Sequence, residues 1–297
     1  MMPMSEAAEL IRVRGQVQGV GFRPTVCRLA SELGLPGWVK NDADGVLIAV
    51  RGSSAARADF VARLLAQLPP LASIEALSRT STTLALPDTG FSIEESSVAS
   101  LSAPTVSIVP DAAVCDACRA EVLDPSARRY RYALTTCTHC GPRFSIARSL
   151  PWDRARTTLE TFPLCARCRS EYADLTDRRY HAEPIACPDC GPRVQLSRCD
   201  GTAAHSDALA AIAGLLARGE IVALKGIGGY QLLACANQPA SVARLRQRKQ
   251  RPHKPFALMA RDLDVVKRYC AVSELERTTL ESAAAPIVLL RAHADGP

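Results

Sequence analysis

The sequence predicts an α+β chain built from three modules, and three observations carry that prediction. The first 96 residues are ordered strand, helix, strand, strand, helix, strand; eight central cysteines form four Cys-x-x-Cys pairs; and helices and strands alternate again after residue 203. With 297 residues, 47% of them hydrophobic and 22% charged, the chain has the composition of a globular protein of two or more domains. The longest uncharged apolar run, Ala208 to Ala217, is too short to span a bilayer. Met1 to Leu10 holds two glutamates and no apolar stretch, so it does not resemble a secretory signal and the expected location is cytoplasmic. The formal charge of +6 by itself invites an anionic partner.

Within residues 5–96, Leu10 to Val17 alternates apolar and polar residues as a strand does, and Gly15 and Gly19 open the turn after it. Phe22, Val26, Leu29, Ala30 and Leu33 fall on one helical face, with Pro24 suited to a first turn. Two strands about an Asp44-Gly45 turn follow, then a helix capped by Ser53 or Ser54 and running to Leu68. Ile74 to Thr80 and Phe91 to Glu94 are further strands, and the order is that of a split-βαβ, ferredoxin-like domain. Residues 97–110 are Ser/Ala/Pro-rich and predict a linker; 111–200 form the cysteine module and 203–297 an α/β segment. In that last segment Ser206 is expected to cap a helix through Ala217, and Pro239, Asp262 and Ser273 to open others. Strands are expected at Ile221 to Leu224, Phe256 to Met259 and Pro286 to Leu290.

The four cysteine pairs are Cys115/Cys118, Cys137/Cys140, Cys165/Cys168 and Cys187/Cys190, and the second two lie 50 residues after the first two. The repeat extends beyond the cysteines: Arg128-Arg-Tyr130 answers Arg178-Arg-Tyr180, and Cys140-Gly-Pro-Arg143 answers Cys190-Gly-Pro-Arg193. Two thiolates on a tight turn hold half of a tetrahedral site, and a second such turn closes it. The duplication favours pairing first with second and third with fourth, giving two structural Zn2+ sites, with interleaved pairing as the alternative. Disulfides, redox dithiols and iron–sulfur clusters are the competing readings of the same pairs. Gly141 and Gly191 are expected to supply a positive φ at each knuckle. His139 and His181 are expected to pack rather than ligate. Cys27, Cys199, Cys235 and Cys270 have no partner at metal spacing and fit small buried hydrophobes.

Val13 to Arg23 places glycines between a strand and a helix, a layout that turns successive backbone N–H groups onto an anion, and Arg23 stands at the helix entrance. The whole stretch Val13 to Val46, including Gln18-Gly-Val-Gly-Phe-Arg23 and Gly37-Trp-Val-Lys-Asn41, resembles the acylphosphatase signature. That resemblance implies a phosphate cradle from Gln18, Gly19, Val20, Gly21, Phe22 and Arg23, with Arg23 as anchor and Asn41 positioning the attacking water.

Between Ile221 and Ala260 there is no acidic residue but seven Lys or Arg. Lys225 ends a strand beside Gly226-Ile-Gly-Gly229, and Lys249, Arg251 and Lys254 cluster where a helix breaks at Pro252, a combination suited to polyphosphate. Leu245 to Phe256, together with Ala208 to Gly226, is similar to the opening half of a YrdC-type nucleotide-binding domain. The resemblance implies ATP, with Mg2+, as its ligand.

An acylphosphatase-like module, a duplicated four-cysteine module and a YrdC-like module in this order resemble the HypF family of hydrogenase maturation carbamoyltransferases. The resemblance implies hydrolysis of carbamoyl phosphate at Arg23 and Asn41, then reaction of carbamate with ATP near Lys225, Lys249, Arg251 and Lys254. It further implies transfer of the carbamoyl group to the C-terminal cysteine of HypE. Members of that family continue well past residue 297, so a truncated chain with a partial third domain is expected. Two rival readings are a zinc-dependent nucleic-acid-binding protein and a stand-alone acylphosphatase with a vestigial tail. The 14 arginines and 12 acidic residues of 111–200 give the first no basic stripe.

Overall fold

The structure is a computed structural model that describes residues 7–97, 107–205, 207–226 and 228–294. Most of the expected linker and the expected Ser206 cap lie outside the described residues. The chain divides into two compact units that meet between Pro192 and Arg193.

The first unit begins with β1 (Ala8–Gln16), α1 (Phe22–Glu32), β2 (Gly37–Asp42), β3 (Gly45–Arg51), α2 (Ser54–Ala66), β4 (Ser73–Thr82) and β5 (Phe91–Ile93). The strands form one sheet in the order β4-β1-β3-β2-β5, antiparallel except for the β2/β5 pair. This is the expected ferredoxin-like arrangement with one added edge strand. Strand alternation sends Ile11, Val13, Val39, Val46 and Ile48 to one face, where Phe22, Val26 and Leu29 of α1 and Phe60 and Leu64 of α2 cover them. Ser53 caps α2 by accepting from the Ala56 N–H. Burying this apolar face supplies most of the free energy that fixes the positions of the β1–α1 loop and of Asn41 in β2.

The cysteine module has short elements: α3 (Asp116–Leu123) and α4 (Ala166–Ala173) start directly after Cys115 and Cys165. The 50-residue repeat is carried into the backbone. Arg131 N–H donates to the Val122 carbonyl as His181 N–H does to Tyr172, and Arg131 and His181 both have positive φ, at 56° and 47°. Gly141 has the expected positive φ of 90°, but Gly191 does not. Its need for glycine is one of space: a Cβ there would collide with the Tyr132 hydroxyl and the Ala186 Cβ.

The second unit holds β6 (Leu196–Ser197), β7 (Ala203–His205), α5 (Ala208–Ala217), β8 (Val222–Gly226), β9 (Gly229–Leu233), α6 (Pro239–Arg248), α7 (Leu263–Lys267), β10 (Cys270–Ala271), α8 (Glu274–Leu280) and β11 (Arg291–Ala292). Among the described residues its strands pair only as two-stranded ribbons. Asp207 caps α5, Pro239 opens α6, and Asp262 and Ser273 cap α7 and α8, the last with a full capping box. Phe256 to Met259 and Pro286 to Leu290 are not strands. An apolar stretch becomes a strand only when a neighbour takes its backbone hydrogen bonds, and none of the described residues does so here. Met259 and Leu289 are exposed accordingly. Cys27 is buried as expected, whereas Cys199 is exposed and Cys235 and Cys270 are half-buried; Cys199 sits in the surface turn between β6 and β7. No helix among the described residues is long and apolar enough to cross a membrane.

Candidate functional site

The two cysteine quartets assemble without interleaving: Cys115, Cys118, Cys137 and Cys140 in one, Cys165, Cys168, Cys187 and Cys190 in the other. The Sγ atoms of Cys115 and Cys137 are 3.7 Å apart and those of Cys137 and Cys140 3.8 Å. In the second quartet the matching separations are 3.8 and 3.7 Å. Four thiolates about 2.3 Å from a tetrahedral zinc stand about 3.8 Å apart, so both quartets fit Zn2+ and leave no coordination position open. Neither His139 nor His181 belongs to a quartet.

Each quartet is braced by the other repeat. Arg178 donates to the Cys118 sulfur at 2.9 Å, while Arg128 and Arg129 donate to the Cys168 sulfur at 3.5 Å. Arg178 and Arg179 also pair with Glu121, and Arg128 and Arg129 with Glu171. Burial pushes both carboxyls up, but the arginine hydrogen bonds outweigh it and hold Glu121 and Glu171 below the usual range. These four arginines are thus spent on sulfurs and carboxylates within the module and form no stripe for a phosphate backbone.

The β1–α1 loop builds a second site. Gly19 and Gly21 adopt φ of 75° and 82°, which only glycine takes without strain, and Gly21 is the N-cap of α1. Among the described residues the backbone N–H groups of Gly19 to Arg23 donate to no carbonyl, leaving an anion nest at a helix N-terminus. Gln18 is buried and fixes the loop by donating to the carbonyls of Asp42 and Gly45, at 2.7 and 2.8 Å. Arg23 and Asn41 are buried beside it, and Asn41 Oδ1 has no hydrogen-bond partner.

The cysteine module closes over this loop. Trp152 N–H donates to Gln18 at 3.0 Å, and its carbonyl accepts from Arg23 at 3.0 Å and from Asn41 at 3.1 Å. Arg23 pairs with Asp153 at 3.0 Å and with buried Glu183 at 2.9 Å. Glu183 also accepts from Tyr172 at 2.9 Å and from the Arg154 N–H at 3.1 Å; burial raises its pKa against the opposing charge of Arg23. Arg143, 1% exposed, donates to the Gly19 carbonyl of the loop and to the carbonyls of Cys137, Thr138 and Cys140 at the first knuckle. A small cleft that opens to solvent remains between the two modules, lined among others by Gly19, Gly21, Arg23, Trp152, His181 and Glu183. Of these partners the sequence marked Arg143 and His181 only as repeat or packing positions, and Trp152, Asp153 and Glu183 not at all. The one available signal for Glu183 was that Ala133 occupies its place in the first repeat.

In the second unit Lys225 is exposed in β8, its Nζ 5.9 Å from the Tyr230 ring centre. Lys249 caps α6, and Arg251 donates to the carbonyls of Lys254 and Pro255 while stacking on Phe256. The last three form one turn, and no hydrogen bond or ion pair among the described residues joins Lys225 to it.

The fold and loop define an acylphosphatase-type domain joined to paired four-cysteine fingers. Residues 10–93 match the family model described as Acylphosphatase, 114–147 and 164–197 the HypF finger, and 214–296 the model described as Telomere recombination. An acylphosphatase of Azoarcus is 45% identical over 74 residues, 24% of this chain and 72% of that protein. Carbamoyltransferase HypF2 of Cupriavidus necator is 50% identical over 282 residues, 95% of this chain but 35% of that protein. The solved structure of T. kodakarensis HypF superposes with a TM-score of 0.89 at 44% identity, over 98% of this chain and 37% of that one. A full-length HypF solved in its phosphate- and nucleotide-bound form superposes with a TM-score of 0.88 at 40% identity, over 98% of this chain and 38% of that one. The chain belongs to the HypF family and spans little more than a third of the length of the HypF relatives it matches.

Proposed function

We propose that this chain carries the acyl phosphate hydrolysis step of a hydrogenase maturation carbamoyltransferase, with carbamoyl phosphate as substrate. The observation that carries the reading is the convergence, on one loop, of unpaired N–H groups from Gly19 to Arg23 with the Arg23 guanidinium and the unpartnered Asn41 Oδ1. N–H groups aimed at a phosphoryl group neutralise its oxygens, and an acceptor such as Asn41 Oδ1 orients a water for attack. In this step water adds to phosphorus and the bridging P–O bond breaks. Carbamate leaves with the electron pair, and the proton of the water ends on phosphate. No strong base is required, because carbamate is a good leaving group.

We propose the remaining steps for the whole protein, supported by the similarity to HypF relatives of which this chain spans about a third. Carbamate reacts with ATP, accompanied by Mg2+, to give carbamoyl adenylate and pyrophosphate, and the carbamoyl group passes to the C-terminal cysteine of HypE. Lys225, Lys249, Arg251 and Lys254 are proposed as phosphate contacts for ATP, and the finger zinc ions as structural. The expected cytoplasmic location belongs to the same reading, because ATP is available there.

The test is phosphate release from carbamoyl phosphate by the purified chain and by Arg23→Gln and Asn41→Ala. A loss of 100-fold or more in kcat/KM in each variant, with two zinc ions per chain retained, is the expected result. Unchanged hydrolysis in both would overturn the assignment.

A further inference from the structure

The Arg23 guanidinium has five N–H groups, and four of them point at partners. Nη1 donates to Asp153 Oδ1 at 3.0 Å and reaches Ser96 Oγ at 3.5 Å. Nη2 donates to the Trp152 carbonyl at 3.0 Å and to Glu183 Oε1 at 2.9 Å. A two-pronged grip on phosphate needs two parallel N–H groups along one edge of the guanidinium. The remaining Nε–H shares its edge with Nη2, both of whose hydrogens are committed. The Asn41 amide is engaged in the same way, because its Nδ2 donates to the Trp152 carbonyl.

We propose that the finger module latches the phosphate site: the Trp152 carbonyl and the Asp153 and Glu183 carboxylates stand in for phosphate oxygens, and phosphate enters only by displacing them. The proposal rests on the reading of the Gly19–Arg23 loop as the phosphate site. An internal ligand on the same donors reduces the apparent affinity by the fraction of molecules in which it is released.

The latch has a firm end and a yielding end. Glu183 is held on its second oxygen by Tyr172 and the Arg154 N–H, and Trp152 is fixed by Gln18 and by Arg143, which lies 5.9 Å from its ring centre. Asp153 is a quarter exposed, and its second oxygen is 4.0 Å from Arg156, so it is the first contact to give way.

The test uses the zinc-loaded 297-residue protein, inorganic phosphate as the probe and isothermal titration as the readout, comparing wild type with Asp153→Asn and Asp153→Asn/Glu183→Gln. Removing carboxylate charge while keeping side-chain shape is expected to tighten phosphate binding about threefold in the single variant and tenfold or more in the double. Unchanged or weaker binding, with two zinc ions retained, overturns the latch and makes the carboxylates supports of Arg23. Should the double variant lose zinc, the single variant decides. Carbamoyl phosphate hydrolysis is followed in parallel. Tighter phosphate binding with no hydrolysis in any protein sustains the latch and removes the acylphosphatase assignment, whereas hydrolysis without tighter binding does the reverse.

Discussion

Arg178 of the second finger donates to the sulfur of Cys118 in the first at 2.9 Å. The contact is returned by Arg128 on Cys168. A zinc ion with four thiolates carries a net charge of −2, and here part of the cation that balances each site comes from the opposite repeat. The two fingers are therefore expected to fold and load as one unit.

Arg129→Met tests this coupling. Arg129 is 1% exposed and pairs with both Glu121 and Glu171, so its loss leaves two carboxylates short of a partner at a cost of about 3–5 kcal/mol. Zinc counting under a graded chelator is expected to show both ions lost together at lower chelator concentration than in wild type, and not one ion alone.

Arg143 links the first knuckle to the β1–α1 loop, and its repeat counterpart Arg193 is exposed. Arg143→Met strips donors from buried carbonyls at about 1–3 kcal/mol each. Phosphate affinity is expected to fall tenfold or more in this variant, while Arg193→Met changes it less than twofold. Titration of both with inorganic phosphate makes the comparison.

His181 is half-buried between Tyr172 and Tyr180, and desolvation, helped by the charge of Arg23, lowers its pKa to about 4. The unfolded chain takes up a proton near pH 6.5 and the folded one does not until about pH 4. Stability therefore falls as pH drops through this window, by roughly 3 kcal/mol in all. His181→Asn tolerates the φ of 47° and is expected to flatten the profile in denaturant melts between pH 7 and pH 4.5.

Gly191→Ala is expected to destabilise the second finger by about 1–3 kcal/mol, because its Cβ would meet the Tyr132 hydroxyl that donates to the Pro192 carbonyl. Tyr132→Phe in the same chain removes the obstructing oxygen and is expected to recover part of that loss in thermal melts.

Much of this was legible in the sequence because it is local. The i, i+4 spacing of Phe22, Val26 and Ala30 fixes a helix face, and Cys-x-x-Cys spacing fixes a turn that presents two thiols. A 50-residue repeat likewise implies two equal sites. The expected strands at 256–259 and 286–290 were misjudged for the opposite reason, since a strand depends on a partner that its own residues do not specify. Gly191 follows the same rule, its requirement being set by Tyr132, 59 residues away.

The sequence by itself determined the four Cys-x-x-Cys turns and the glycine-bearing loop before α1, because each is defined over a few residues of chain, whereas the pairing of the turns into two quartets without interleaving came from the fold. Only the tertiary structure decided what faces that loop. Arg23 meets Glu183 across 160 residues and Asn41 meets Trp152 across 111. Contacts of that range depend on how the two modules pack within one compact unit, and no spacing rule along the chain encodes them.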